Sequence, residues 1–354
     1  MASNLTKKLL KSVKKNGIGD TLKDSEFGKI DYYVPSDSII MNLLMSAKWN
    51  GGVPAGRITM LSGAKSHGKT VSAMNFAKNY QKDGGTIVLI DSEFASEESS
   101  LANLGLQTED IIYLPLSHIK DDVKEQSITY QLNEIFKNID RGDKVMIILD
   151  SLGALQTKNT LQNIEKNNNA VDMKVAMEKK AFMSFLTALV GQKGIPCIIL
   201  NHSYESIGGF GGGQEVAGGG ALYYPSTILL MSSKAKMKIN DENQGTLLRT
   251  QIYKGRLSRE KAIAKWAMHY EYGILPYYGL DELALEGGYI EEAKEGRSTV
   301  YKFNENTCPK KTYMLPENNS FWKKLLEETD FGKYLNDVFA YGSNKQVKSI
   351  EIND

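Results

Sequence analysis

Residues 63–70 have the spacing of a phosphate-binding loop. Their sequence, Gly63-Ala64-Lys65-Ser66-His67-Gly68-Lys69-Thr70, fits the pattern G-x-x-x-x-G-K-T. Glycines permit a tight turn that points several backbone N–H groups at one phosphate, and the N-terminus of a following helix adds partial positive charge. Lys69 is expected to reach the β- and γ-phosphates, and the Thr70 hydroxyl to bind Mg²⁺. The loop predicts a site for a nucleoside triphosphate. The alternative is a glycine turn that happens to precede a lysine.

Two carboxylates follow apolar runs that resemble buried strands. Asp150 comes after Val145–Leu149 and is expected to hold Mg²⁺, often through water. Glu93 closely follows Thr86–Ile90, where a carboxylate one strand away from the phosphate loop can orient and deprotonate an attacking water. The alternative for Glu93 is a capping residue at a helix N-terminus.

A further strand-like run, Cys197–Leu200, ends in a polar pair that includes His202. A histidine at this place can hydrogen-bond a γ-phosphate and register its loss, although a lone histidine can also be purely structural. Long polar segments follow two of the strand ends, over Thr157–Asn169 and the glycine-rich Ser203–Gly220. Such segments are ordinary surface loops or linkers, or they become ordered on a ligand.

The elements that must position these residues alternate along the chain. Continuous apolar runs separated by helical stretches predict an α/β fold with a mostly parallel sheet covered on both faces. Ligands of such sheets bind beyond the carboxyl ends of the strands, which is where the polar residues lie. Val71–Ala77 is predicted to start the helix after the phosphate loop. The strand candidates are Arg57–Ser62, Thr86–Ile90, Ile111–Leu114, Val145–Leu149, Cys197–Leu200 and Thr227–Met231.

The composition is that of an ordinary soluble globular protein. The chain has 354 residues, of which 41% are hydrophobic and 24% charged, with a formal net charge of +1. A polyanion must therefore be bound by a local patch or loop. No apolar run approaches the roughly 18 residues of a membrane span, and two cysteines, Cys197 and Cys308, form neither a disulfide framework nor a zinc site. We predict a cytoplasmic protein without a membrane partner.

The two ends of the chain carry no catalytic motif. Near the N-terminus, Leu5, Leu9 and Val13 share one face of a short lysine-rich helix, which we expect to dock on its own core or on a neighbouring subunit. The lysines form a solvated face or a nucleic-acid patch. The predicted domains are an N-terminal docking segment (1–33), an ATPase core (34–276) and a small C-terminal α/β appendage (277–354).

Taken together, the motifs resemble the RecA-type recombinases, most closely the UvsX-like recombination and repair proteins of phages. The similarity extends over nearly the whole chain. The resemblance implies a RecA-like phosphate-loop ATPase with ATP and Mg²⁺ as cofactors, which forms helical filaments on single-stranded DNA and exchanges strands with homologous duplex DNA. The motifs that carry it are Gly63–Thr70, Asp91–Phe94, Val145–Gly153, Ile195–Glu205 and Gly218–Leu222.

The resemblance also implies roles for single residues. Glu93 matches the catalytic glutamate of the family, Asp150 the Mg²⁺ aspartate, and His202 the sensor of the γ-phosphate. Lys254 and Arg256 match basic residues that reach across the subunit interface to the ATP of the neighbour. Cations supplied in this way stabilise the transition state, as arginine fingers do.

Other correspondences concern the base and the DNA. Glu97 stands where relatives place an acidic residue beside adenine, whereas Ser100 replaces a tyrosine there. Thr157–Asn169 and Ser203–Gly218 correspond to the two DNA-binding loops of the family. Further partners implied are mediator or loader proteins and single-strand-binding proteins. The lysines that could contact DNA after the first loop are Lys174, Lys179 and Lys180.

Two other functions remain open at this point. A hexameric helicase can be built on the same core, and it would form a closed ring with translocation of one polarity. An ATP-gated scaffold for single-stranded DNA would use hydrolysis only for release. Neither alternative predicts joint molecules between a single strand and homologous duplex DNA.

Overall fold

The computed structural model describes residues 3–17, 19–157, 173–205 and 214–344, and the backbone of residues 351 and 352. The helices are α1 (Asn4–Lys15), α2 (Ile39–Ser46), α3 (Lys69–Lys82), α4 (Glu98–Asn103), α5 (Ile128–Lys137), α6 (Met173–Lys193), α7 (Leu280–Glu286), α8 (Asn319–Glu328) and α9 (Phe331–Phe339). The strands are β1 (Tyr33–Val34), β2 (Val53–Pro54), β3 (Ile58–Gly63), β4 (Thr86–Asp91), β5 (Ile111–Leu114), β6 (Val145–Asp150), β7 (Cys197–Glu205), β8 (Gln214–Val216), β9 (Thr227–Ile239), β10 (Glu242–Gly255), β11 (Ala262–His269), β12 (Gly273–Ile274), β13 (Glu291–Glu295), β14 (Ser298–Phe303), β15 (Asn306–Pro309) and β16 (Glu351–Ile352).

One large sheet organises the described residues. Its strand order is β12-β11-β10-β9-β3-β7-β6-β4-β5, with β8 paired to β7 and β16 to β11. The six strands from β9 to β5 in this order are mutually parallel, and β10, β11 and β12 extend the sheet in antiparallel pairs. The predicted α/β class with a mostly parallel sheet is therefore confirmed.

Apolar layers cover both faces of the parallel strands, as the continuous apolar runs predict. On one face, side chains of α2 and α3 pack with alternate residues of the strands, such as Leu61 and Ile148. On the other face, α5 and α6 pack with the intervening residues, such as Met60 and Ile147. Because β3, β4, β6 and β7 pair in parallel, their carboxyl ends lie at one edge of the sheet.

The structure differs from the sequence expectations at β5 and β9, and also at β7, which continues past Leu200 to Glu205. β5 is the edge of the sheet, and its Ile112 and Tyr113 are each 43% exposed, so this run is not buried on both faces. β9 does not stop at Met231 but continues to Ile239 and forms a long hairpin with β10. Its outer part carries exposed lysines and lacks an apolar run, so it has no strand signal of the kind used for the core.

The N-terminal helix packs no residue into the core. Ser3 caps α1 by accepting a hydrogen bond from the Thr6 amide, and no side chain of the helix is buried. Leu5 and Leu9 are 66% and 57% exposed. Docking on its own core is therefore not observed in this structure, while docking on a neighbouring subunit stays a prediction.

The chain after residue 277 contains helices and a three-stranded sheet, β13-β14-β15. Its Trp322 is fully buried and stacks on Tyr277 at 6.1 Å, and its apolar residues belong to the same cluster as those of α2.

Both cysteines are free and buried, and burial raises the pKa of Cys308 to about 12. Among the described residues, none of the helices is long and apolar enough to cross a bilayer.

Candidate nucleotide site

The phosphate loop links β3 to α3 at the carboxyl edge of the sheet. Gly68 has φ +81°, a left-handed conformation that glycine adopts without strain, and α3 begins at the next residue. The Lys69 ammonium donates hydrogen bonds to the Gly63 carbonyl at 2.8 Å and the Ala64 carbonyl at 2.9 Å. Burial lowers the pKa of Lys69. Because this ammonium is partly buried, an anion is the further partner that suits it. The backbone N–H groups at the N-terminus of α3 also attract an anion.

Thr70 and Asp150 are adjacent, as the predicted Mg²⁺ site requires. The Thr70 hydroxyl donates to Asp150 Oδ2 at 3.0 Å. Burial raises the pKa of Asp150 to about 6, and the nearby Glu93 and Asp91 carboxylates act in the same direction. A hydroxyl and a carboxylate are hard oxygen donors, which suit Mg²⁺ with water and phosphate oxygens in its remaining positions. The described residues contain no cluster of three or more acidic, histidine or cysteine side chains that could form an all-protein metal site.

Glu93 and His202 meet at the same edge, although Glu93 follows the end of β4 and His202 lies in β7. His202 Nε2 is 3.1 Å from Glu93 Oε1, and both side chains are partly exposed. The Ser151 hydroxyl donates to the same Glu93 oxygen at 2.5 Å and lies 3.3 Å from His202 Nε2. The helix after β4 starts at Glu98 with Glu97 as its N-cap, so the alternative of Glu93 as a helix cap is wrong.

Buried polar groups hold these strand ends in register. Ser92 donates to the Ser151 carbonyl at 2.8 Å and accepts from the Ser151 amide at 2.9 Å, which joins β4 to the end of β6. Asp91 accepts hydrogen bonds from the Glu93 amide, the Ser96 amide and the Tyr113 hydroxyl. Burial alone would raise the pKa of Asp91, but its hydrogen bonds outweigh this effect and lower the pKa. The side chain therefore holds the turn that contains Glu93 in the form of a carboxylate.

Glu97 lies outside this cluster. Its carboxylate is exposed and accepts hydrogen bonds from the Ser99 and Ser100 hydroxyls at 2.8 and 3.4 Å. Beside α3 lies a cleft of about 500 Å³, lined by Val71 of the first turn, by Asn103 and Leu104 at the end of α4, and by the turn after β11. Tyr270 of that turn is 65% exposed, whereas the Tyr272 ring stacks on His269 at 4.5 Å. Sequence reasoning missed this aromatic side of the cleft.

Lys254 and Arg256 are not brought to the phosphate loop of their own chain. Lys254 pairs with Ile228 in β9, whereas the loop starts at Gly63, which pairs with Met231. At about 3.3 Å per residue, this places Lys254 about 10 Å back along the sheet, towards the opposite edge. Its ammonium donates hydrogen bonds to the Leu222 and Tyr223 carbonyls. Burial lowers the pKa of Lys254, and the positive charge of the nearby Arg256 lowers it further.

The candidate DNA-binding residues are only partly described. Residues 158–169 of the first predicted loop and 206–213 of the second lie outside the described residues. The second predicted loop, Ser203–Gly218, begins as a strand, because β7 runs on to Glu205 and pairs with β8. Lys179 donates to the Leu152 and Gly153 carbonyls and is half-buried, so it holds the end of β6, whereas Lys180 is exposed.

Comparison with known proteins decides the family. The RecA N-terminal domain family matches residues 5–275 of the chain. The chain belongs to this family. The recombination and repair protein of Enterobacteria phage T4 is 26% identical over 320 residues, covering 88% of this chain and 80% of the phage protein. Protein RecA of Thermus aquaticus is 27% identical over 290 residues, covering 80% and 81%, and Protein RecA of Chlorobium chlorochromatii is 28% identical over 245 residues, covering 69% and 66%.

Membership of the RecA family agrees with the arrangement at the sheet edge. The predicted resemblance is thereby confirmed, and the matched residues 5–275 include Lys69, Glu93, Asp150 and His202. The roles of the individual residues remain predictions.

Proposed function

We propose that this protein is a DNA-dependent ATPase that forms filaments on single-stranded DNA and exchanges strands with homologous duplex DNA. The observation that carries the proposal is the junction at the carboxyl edge of the sheet. There the phosphate loop, Glu93 and His202 lie beside the strands that lead into residues 158–172 and 206–213. Nucleotide state and DNA contacts thereby share the same strand ends.

The chemistry follows from the side chains present. Lys69 and the N-terminus of α3 bind the phosphates, and Thr70 with Asp150 would hold Mg²⁺. When bound, Mg²⁺ neutralises charge that develops on the phosphate oxygens. Glu93 accepts the proton of the attacking water, and His202 donates a hydrogen bond to the terminal phosphate. The cleft beside Val71 takes the adenine, with the exposed Tyr270 ring supplying the stacking face that Ser100 lacks.

Lys254 and Arg256 serve the nucleotide of a neighbouring subunit. Their position towards the sheet edge opposite the phosphate loop supports this role, as does the exposure of Arg256, which leaves its side chain open to contact with another copy. A head-to-tail contact of this kind closes into a ring or propagates as a helix. The exposed apolar face of α1, with Leu5 and Leu9, supplies a second contact between copies. ATP bound at such a junction tightens the assembly, and hydrolysis loosens it.

The domain limits proposed for this assembly are 1–33, 34–276 and 277–354. The first part docks on a neighbour, the second binds ATP and single-stranded DNA, and the third contributes to the surface that duplex DNA meets. Mediator or loader proteins and single-strand-binding proteins are further proposed partners, acting in the cytoplasm of the cell that makes the protein.

A joint-molecule assay tests the proposal. Circular single-stranded DNA and homologous linear duplex are mixed with the protein, Mg²⁺ and ATP, and paired products are resolved on a gel. We expect joint molecules with homologous duplex and none with heterologous duplex. ATP-dependent unwinding without pairing would favour a ring helicase, and binding without either activity would favour a scaffold.

A further inference from the structure

Ser151 directly contacts both polar side chains that the proposed hydrolysis uses. It is 1% exposed and follows Asp150 at the end of β6. Its hydroxyl oxygen lies 2.5 Å from Glu93 Oε1 and 3.3 Å from His202 Nε2, and the remaining side of this triangle, from His202 to Glu93, is 3.1 Å. Serine is common at strand ends, so its type and position alone predict no role.

The protons available in this triangle determine which groups donate its hydrogen bonds. The serine hydroxyl brings one proton, and a carboxylate oxygen brings none. An unprotonated His202 Nε2 would face the lone pairs of Glu93 Oε1 at 3.1 Å, so Nε2 must carry a proton. Ser151 and His202 then both donate to Glu93 Oε1. With both donors on Oε1, the end of β6 and β7 hold the carboxylate in one orientation, which fixes where its other oxygen can meet a water molecule.

The triangle is mechanically connected to both candidate DNA-binding segments. Ser151 opens the stretch that leads to residues 158–172, and His202 lies in β7, which leads to residues 206–213. The Leu152 amide donates to the Leu200 carbonyl at 2.9 Å, and a Cβ at Gly153 would come within 2.6 Å of His202 Cδ2. The stretch 151–153 therefore lies against the imidazole, and a shift of either strand end changes the contacts of Glu93.

We propose that Ser151 is a positioning residue that, together with His202, holds Glu93 in a resting pose until DNA binds. This inference rests on the proposed function, because it requires Glu93 to act on the water. DNA bound by the two segments displaces the strand ends, which moves Ser151 and His202 away from Oε1. The freed carboxylate then accepts the proton of the attacking water, so DNA binding and hydrolysis are coupled through one hydroxyl.

The substitution Ser151→Ala removes the hydroxyl without adding volume. We expect ATP turnover without DNA to rise about fivefold, the change that one hydrogen bond of ordinary strength produces. Turnover with DNA should stay close to that of the wild type, so the stimulation ratio falls by the same factor, while the Kd for ATP is unchanged. Equal loss of turnover with and without DNA would mean that the hydroxyl assists catalysis, and it would overturn the inference, as would unchanged turnover.

A double-mutant cycle with Glu93→Gln separates this role from a structural one. If Ser151 acts through Glu93, adding Ser151→Ala to Glu93→Gln should change turnover no further. The same increase in both backgrounds would show that Ser151 acts elsewhere. Ser46→Ala is the matched control, since Ser46 is a buried serine of α2 whose hydroxyl donates to the Asn42 carbonyl at 3.2 Å. It should leave the stimulation ratio unchanged.

A spectroscopic measurement tests the resting pose in the wild-type protein itself. In ¹⁵N-histidine-labelled protein without nucleotide, His202 should be protonated at Nε2, and a neutral ring protonated only at Nδ1 would overturn the inference. If the wild type shows no ATP turnover that DNA stimulates, the proposed function has failed, and the inference falls with it. If the wild type is stimulated and Ser151→Ala behaves like it, the inference alone has failed.

Discussion

At the scale of single residues, Lys69 is the group on which nucleotide binding depends most. Its ammonium donates hydrogen bonds to the Gly63 and Ala64 carbonyls at the start of the phosphate loop. We expect Lys69→Ala to abolish ATP hydrolysis, because the cation that contacts the β- and γ-phosphates is lost. Steady-state phosphate release measures this. The control is Lys82→Ala, at the exposed end of the same helix, which should hydrolyse ATP normally. Normal turnover of the Lys69→Ala protein would show that the phosphate loop does not bind the nucleotide that is hydrolysed.

Gly153 provides a steric test of the His202 position. A Cβ at residue 153 would approach His202 Cδ2 to 2.6 Å, so Gly153→Ala should displace the imidazole and reduce DNA-stimulated ATP turnover about tenfold or more. Gly191→Ala is the control, since nothing lies within 4 Å of a Cβ there, and in helix α6 alanine should raise stability by about 0.5–1 kcal/mol. Equal stimulation of the two variants by DNA would contradict a functional role for the His202 position.

At the scale of elements, Arg141 joins the N-terminal segment to the core. Its guanidinium donates to the Asp31 carboxylate at 2.6 Å, the Glu26 carbonyl at 3.0 Å and the Gly191 carbonyl at 3.2 Å. It also lies over the Phe27 ring at 5.2 Å. One side chain thus holds residues 26–31 against the core.

Arg141→Ala should release this segment. We expect faster hydrogen exchange over residues 26–31 and a free energy of unfolding lower by about 1–2 kcal/mol, because several hydrogen bonds are lost together. Hydrogen–deuterium exchange and denaturant unfolding measure the two effects. Lys137→Ala breaks only an exposed ion pair with Glu134 and should change neither quantity. Unchanged exchange over 26–31 in Arg141→Ala would show that other contacts hold the segment.

The sequence predicts much of the fold because buried parallel strands leave a continuous apolar signal. Val145–Leu149 and Thr86–Ile90 are recognisable for this reason, and the polar residues after them lie where parallel strands place them. The outer half of the β9–β10 hairpin is exposed, so its side chains carry no such signal. The contacts of Ser151, Tyr270 and Arg141 depend on tertiary geometry, which brings together residues far apart in the chain and leaves no pattern in the sequence.

For the assembly as a whole, the proposed function requires that each subunit complete the nucleotide site of its neighbour. Lys69→Ala subunits lack the phosphate-loop cation but carry Arg256, and Arg256→Ala subunits have the reverse defect. Each variant alone should show little DNA-stimulated turnover. In an equal mixture that assembles at random, about a quarter of the junctions combine an intact loop with an intact Arg256, so activity should reappear. A mixture as inactive as its components would contradict action across the subunit interface.

The central claim is that ATP bound between neighbouring copies controls how tightly the assembly holds DNA. The most direct test is the affinity of the protein for a fluorescent single-stranded oligonucleotide, measured at fixed salt with a slowly hydrolysed ATP analogue, with ADP and without nucleotide. We expect markedly tighter binding with the ATP analogue than in the other two states. Equal affinity in all three states would show that ATP does not control the grip of the assembly on DNA.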